Sequence, residues 1–160
     1  MSRAKIKSIA AVREIARALR KKNRSIVFTN GCFDILHWGH VKYLQDAKAK
    51  GDVLIVGVNS DASVKRIKGN KRPIIGEKDR LNTIAGLQSV DYVVKFNEDT
   101  PLRLIKSIRP SVLIKGADWN KKNIVGADLV KDNGGKVITV KIVRGRSTSS
   151  IIKKIAHAYK

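Results

Sequence analysis

The residues best suited to chemistry lie in one short segment, Thr29–His40, "TNGCFDILHWGH". It follows the apolar run "SIVF" and sets a glycine turn before two histidines three positions apart. Two kinds of site use such a pattern. In one, His37 and His40 share a face at a helix start and bind a metal with Cys32 close by. In the other, the same histidines meet phosphoryl oxygens at a helix N-terminus, where free N–H groups and the positive dipole end favour anions.

The metal reading is short of ligands. A catalytic zinc needs about three protein ligands, so Cys32 or a carboxylate would have to complete the set. The remaining histidine, His157, falls in a terminal helix, and the chain has neither an H-E-x-x-H pattern nor a second cysteine. The expectation is therefore no protein-held metal. The phosphate reading fits the residue types better. Gly39 leaves room for close approach of a phosphate, and two imidazoles can donate hydrogen bonds as charge builds in a transition state. The P-loop pattern G-x-x-x-x-G-K-[ST] and the dinucleotide pattern G-x-G-x-x-G do not occur, which sets aside the common phosphate loops.

The surrounding elements must hold that segment in place. Ile9, Val12, Ile15, Ala16 and Leu19 recur at helical spacing and predict a helix over 8–21. Apolar runs predict strands over 25–29, 52–59, 91–96, 111–115 and 136–141, with helices over 40–51, 77–88, 100–108, around 124–133, and 148–158. The run "DVLIVGVN" is apolar almost throughout, as in a strand buried on both faces of a parallel sheet. Alternating strands and helices with short connections imply right-handed βαβ units, hence an α/β fold with a Rossmann-like, doubly wound parallel sheet. One domain over 1–160 is expected. In such sheets ligands sit beyond the carboxyl ends of the strands. Polar stretches collect there: "TNGCFD" after the first strand, "NSD" after the second, "KGADW" after the fourth and "RGRSTSS" after the last.

Composition narrows the class. At 160 residues, with 42% hydrophobic and 29% charged residues, the chain reads as an ordinary globular protein. No apolar run approaches the roughly 18–20 residues that span a bilayer. Arg13, Glu14 and Arg17 interrupt the N-terminal apolar stretches, so no signal-peptide core is expected. A single cysteine excludes an intramolecular disulfide and points to a reducing cytoplasm. Lys+Arg 34 against Asp+Glu 13 gives a net charge of +21, which invites a nucleic-acid reading. The basic residues are spread along the chain, however, and aromatics are only 5%. Attraction of a small anionic substrate explains the charge at least as well.

At this point a family resemblance can be stated. "TNGCFDILHWGHVKYL" resembles the G-x-F-D-x-x-H-x-G-H segment of the cytidylyltransferase-like nucleotidyltransferases, whose histidine pair binds the nucleotide triphosphate. "GVNSDASVKRIKGNKRPI", "NEDTPLRLI", "VLIKGADW…IVGADLVKDNGGKV" and "GRSTSSIIKKI" are similar to the adenylyltransferase domain of bifunctional heptose kinase/adenylyltransferases, over roughly residues 24–156. The resemblance implies an HxGH nucleotidyltransferase fold. It implies that a heptose 1-phosphate attacks the α-phosphorus of ATP, giving ADP-heptose and pyrophosphate for lipopolysaccharide core or related glycans. ATP with Mg²⁺ carried on its phosphates, and a homodimer, are implied with it. The kinase half being absent here, the expectation is a stand-alone enzyme supplied by a separate kinase and phosphatase.

The same resemblance assigns roles. His37, His40, Lys42 and Arg72 are the expected catalytic groups. Thr29, Asn30, Gly31, Phe33 and Gly39 form the nucleotide-binding turn, and Asp34 is expected to hold a turn. Asn59, Asp61, Lys68, Lys115, Gly116 and Asp118 are expected beside nucleotide or sugar phosphate, Arg80 at a phosphate or positioning a loop, with Trp119 packing on a ring. Ser147, Thr148 and Ser149 combine helix capping with a place in the ATP site. Two rivals stand beside this reading. Glycerol-3-phosphate cytidylyltransferases show R-T-x-G-I-S-T-T near the end, whereas Ile142 stands here at the leading arginine position, with Arg144 and Arg146 able to restore part of the charge. A non-catalytic, basic nucleic-acid-binding domain on the same fold is the other.

Overall fold

The computed structural model describes residues 2–117, 123–143 and 145–159. Its centre is one six-stranded sheet, every pairing of which is parallel. The elements in chain order are β1 (Ile6–Lys7), α1 (Ile9–Lys21), β2 (Ile26–Gly31), α2 (Trp38–Lys48), β3 (Val53–Asn59), α3 (Asp61–Lys68), α4 (Glu77–Ala85), β4 (Tyr92–Phe96), α5 (Leu102–Ile108), β5 (Val112–Gly116), α6 (Ala127–Asp132), β6 (Lys136–Val140) and α7 (Thr148–Ala158).

The strand order is β1-β4-β3-β2-β5-β6. From β2 the chain steps outward through β3 and β4, then returns to lay β5 on the other side of β2. The strand order thus reverses between β2 and β5, the crevice where doubly wound sheets bind ligands. The β2–β3 ladder runs from Ile26↔Val53 to Gly31↔Val58, but the β2–β5 ladder pairs only Val27↔Val112 and Phe28↔Leu113. Beyond it, side chains bridge the two strand ends. Thr29 Oγ1 donates to Ile114 O at 3.0 Å, and Lys115 Nζ donates to Asn30 Oδ1 at 2.5 Å.

Both faces of the sheet are covered. Ile26, Phe28, Val53 and Ile55 pack with Val12 and Ala16 of α1 and Leu104, Ile105 and Ile108 of α5. Val27, Leu54, Val56 and Val58 point the other way, against Leu44 and Ala47 of α2 and Leu81, Ile84 and Ala85 of α4. Every residue of β3 is buried, as its unbroken apolar run predicts.

Three local differences bear on function. First, α2 begins at Trp38, with His37 as its N-cap, instead of at His40. Both histidines therefore belong to the first turn, where the His40 N–H donates to His37 O at 2.9 Å and the leading N–H groups of Trp38 and Gly39 precede any intrahelical carbonyl. Second, α3 is short and polar, and its cap is Ser60, whose hydroxyl accepts from Ser63 N at 3.1 Å; Asp61 is the first helical residue. Third, β1 adds an edge strand of two residues on β4. Two residues leave no periodicity to read.

Candidate active site

A cleft of about 530 Å³ opens at the β2–β5 crevice. The end of β2, the loop into α2, the ends of β3 and β5, the loop after α3 and the start of α7 all contribute to it. The chain reaches it through an unusual turn. Phe33 has φ 47°, the left-handed region that a bulky side chain rarely adopts. The turn folds the Phe33 ring over Gly31, where an added Cβ would lie 3.1 Å from the ring, and sets its edge against His40 with centroids 5.4 Å apart. A glycine at 31 and a strained residue at 33 together aim the histidine segment back across the strand end.

His37 and His40 then stack. Their ring centroids are 3.9 Å apart and the planes differ by 21°. Gly39 makes this possible, since a Cβ there would meet the His37 ring at 2.9 Å. Gly39 lines the cleft between the His37 ring and Arg146. The Nδ1 atoms of both histidines are buried and make no hydrogen bond among the described residues. Burial, then the neighbouring His37, pushes the His40 pKa down to about 4, despite the opposing pull of Asp34. His37 is held below its ordinary value by burial and by the charge of Arg146. Both rings are therefore neutral at pH 7, each with one N–H donor and one acceptor.

Asp34 holds the opposite wall. Its buried carboxylate accepts from Ile74 N at 2.8 Å, Ile75 N at 2.7 Å and Arg72 Nε at 2.5 Å. Burial would raise its pKa, but the amides of Ile75 and Ile74 and the Arg72 guanidinium hold it below the usual carboxylate range. Arg72 does line the cleft, with its Nε committed to Asp34. Lys68 lines the same wall. Cys32 is also present, but burial pushes its thiol pKa up against the attraction of Lys68, Arg80 and Arg72. It remains a thiol.

The other expected residues divide. Asn30, Gly31, Phe33, Asn59, Lys115 and Gly116 line the cleft, as do Ser147, Thr148 and Ser149 at the start of α7. Ser147 caps that helix, accepting from Ser150 N at 3.1 Å, so its hydroxyl is already engaged. Thr29 is fully buried behind the cleft, bonded to Tyr43 and Ile114.

Three expected residues lie outside the cleft wall. Lys42 is absent from the cleft wall, its Nζ lying 2.5 Å from Asp46 Oδ1 one helical turn away. Arg80 is fully buried and donates to Ile75 O, Cys32 O and Asp61 Oδ1, so it clamps the turn and the 72–75 loop together. Asp61 is its partner at 2.8 Å, outside the cleft lining. Asp118 and Trp119 lie outside the described residues.

Several further residues line the cleft, of which Arg146 alone carries an expectation from the sequence, as a charge that could restore part of that missing at Ile142. Tyr43 lies three positions after His40 on α2, a spacing that places both on one face. Asp99, Thr100 and Pro101 follow the end of β4, a strand end the survey of polar termini did not include. Arg146 precedes the α7 cap. Among the described residues no three His, Cys, Asp or Glu side chains gather in a metal-binding arrangement. The acidic groups on the cleft wall are engaged, Asp34 as above and Asp99 with Arg66 at 2.7 Å. No described helix is long and apolar enough to cross a membrane.

Comparison with known proteins places this geometry. A family model described as Cytidylyltransferase-like matches residues 28–154. Curated relatives include the Bifunctional protein HldE of Geobacter metallireducens, 55% identical over 99% of this chain, and that of Wolinella succinogenes, 54% identical over 96%. The chain spans only 32% of each of those relatives' lengths. Among solved structures, a lipopolysaccharide core biosynthesis protein from Thermoplasma volcanium is 30% identical with a TM-score of 0.63, over 77% of this chain and 99% of that one. A pantoate-beta-alanine ligase from Francisella tularensis, 18% identical, shares the fold alone, with a TM-score of 0.64 over 90% of this chain and 68% of that one.

Proposed function

We infer what this protein does from one premise: the chain belongs to the cytidylyltransferase-like family. It is a nucleotidyltransferase that moves AMP from ATP to a heptose 1-phosphate. The observation that carries this reading is the stacked pair His37 and His40, with Nδ1 atoms unsatisfied, at the helix start facing the β2–β5 crevice. The relatives named Bifunctional protein HldE, together with the similarity to the adenylyltransferase domain of heptose kinase/adenylyltransferases, support the adenylyl and heptose parts.

A phosphate oxygen of the sugar phosphate attacks the α-phosphorus of ATP. As that P–O bond forms, the bond from the α-phosphorus to the oxygen bridging to the β-phosphate breaks, and pyrophosphate leaves with its electron pair. No covalent enzyme intermediate is needed, so the protein acts by in-line positioning and charge stabilisation. His37 and His40 donate to phosphoryl oxygens from a dry, pre-formed position, where such bonds are worth most. Lys115 lies across the crevice, and Arg72 and Lys68 on the far wall, to balance phosphate charge. Ile142 and Val143 give the cleft an apolar edge suited to a base. Mg²⁺ belongs to the substrate as MgATP, with phosphate oxygens and water as its main ligands. A homodimer working in the cytoplasm completes the proposal.

The test is identification of the product. ATP or CTP is offered with heptose 1-phosphate or glycerol 3-phosphate, and the product is read by mass. ADP-heptose, formed with equimolar pyrophosphate, is the expected result. CDP-glycerol as the sole product would overturn the assignment.

A further inference from the structure

We propose that Arg146 is a phosphate-binding residue of this cleft, its guanidinium engaging the nucleotide triphosphate beside His37 where the starts of α2 and α7 meet. The inference rests on the nucleotidyltransferase reading and adds a residue outside the histidine segment and the serine-rich helix start.

The geometry is local and specific. Arg146 lines the cleft and immediately precedes Ser147, the cap of α7. A Cβ on Gly39 would lie 3.3 Å from Arg146 Cβ and 2.9 Å from the His37 ring, so the two helix starts pack together at that glycine. The Arg146 charge reaches His37 strongly enough to join burial in keeping that imidazole neutral. Two sets of donors thus face one space: the histidine pair from α2, and Arg146 with the leading N–H groups of α7, which have no intrahelical partners.

Arg146 also stands apart from most arginines around it. Arg66, Arg72, Arg80 and Arg103 each pair with a carboxylate. The side chain of Arg146 is exposed, and it enters none of the ion pairs or side-chain hydrogen bonds among the described residues. A guanidinium with no ion-pair partner among the described residues, on the wall of a cleft edged by two imidazoles and a helix start, is complementary to a polyphosphate. Its planar fork suits two oxygens at once, which a lysine cannot match. An arriving anion would also offset the Arg146 charge at His37, easing the hydrogen bonds that imidazole has to make.

The test uses the full chain with Arg146→Gln and Arg146→Lys, after thermal melts coinciding with the wild type show both variants folded. Inorganic tripolyphosphate is the first probe, titrated calorimetrically. Arg146→Gln is expected to weaken binding about tenfold and Arg146→Lys about threefold, with the gap narrowing as salt rises. In the pyrophosphate-release assay, Arg146→Gln should raise the KM for ATP and leave the KM for heptose 1-phosphate unchanged. In the free protein, NMR titration should show the His37 pKa rising towards its ordinary value in Arg146→Gln. Unchanged tripolyphosphate affinity, no tripolyphosphate binding by the wild type, or a KM rise confined to the sugar phosphate would each overturn the proposal. If the wild type forms no nucleotide-sugar at all, the enzymatic reading fails, while the tripolyphosphate result still decides Arg146.

Discussion

The imidazoles of His37 and His40 lie 3.9 Å apart and within 21° of parallel, buried at Nδ1 and unpaired there. Two rings so close cannot both carry charge cheaply, and burial already disfavours the charged form. The free protein therefore keeps the pair neutral, which has consequences for stability as well as for chemistry.

Acid should destabilise the fold earlier than its carboxylates alone would. His40 titrates near 6.5 when unfolded and about 4 when folded, so the unfolded chain binds the extra proton between those values. Stability is present above about pH 6.5 and is lost as pH falls towards 4, by roughly 3 kcal/mol from this group. Melting temperature measured from pH 7 to 4.5 should fall, and His40→Asn should flatten that slope. An identical slope in the variant would show that His40 is not the group responsible.

Asp34 should matter more for the 68–75 loop than for its own turn. It is the shared acceptor for Ile74 N, Ile75 N and Arg72 Nε. Asp34→Ala strands a largely buried guanidinium and two amides, and should cost about 3–5 kcal/mol. Denaturant unfolding measures the loss, and trypsin should cut faster at Lys68 and Lys71. Unaltered cleavage at those sites would separate Asp34 from the loop.

Gly39→Ala tests the stack directly. The new methyl would meet the His37 ring at 2.9 Å, so the ring must leave its place. Catalytic turnover should fall about 100-fold, with little change in melting temperature because the site is a helix first turn. Wild-type kcat in Gly39→Ala would mean that the stacked arrangement is dispensable.

Lys42 should be silent. Its pair with Asp46 is largely exposed, and such pairs contribute about 0–1 kcal/mol. Lys42→Ala should keep kcat/KM within a few-fold of wild type. A loss above about 100-fold, or ~2.7 kcal/mol of transition-state stabilisation, would return Lys42 to the site.

The sheet and the histidine segment were legible because their signals are local. A continuous apolar run identifies β3, and H-x-G-H after a glycine turn identifies the helix start that carries the histidine pair. The strand-end rule points to Asn30–Asp34 and to Arg146–Ser149, which line the cleft. What stayed hidden depends on distant partners. Arg80 is marked by the family resemblance, but its partners Cys32 O, Ile75 O and Asp61 come from three segments that no local pattern links. Lys42 sits next to the motif in sequence, yet helical periodicity turns it towards Asp46. Arg146 gains meaning only when α7 docks beside Gly39, 107 positions earlier in the chain.

The central claim is that His40 stabilises an adenylyl-transfer transition state. The most direct measurement is kcat for pyrophosphate release from ATP and heptose 1-phosphate, at saturation, in wild type and His40→Ala. A fall of about 10²–10³-fold is expected for loss of one pre-organised donor, with ADP-heptose still the product. Near-normal kcat in the folded variant would contradict it.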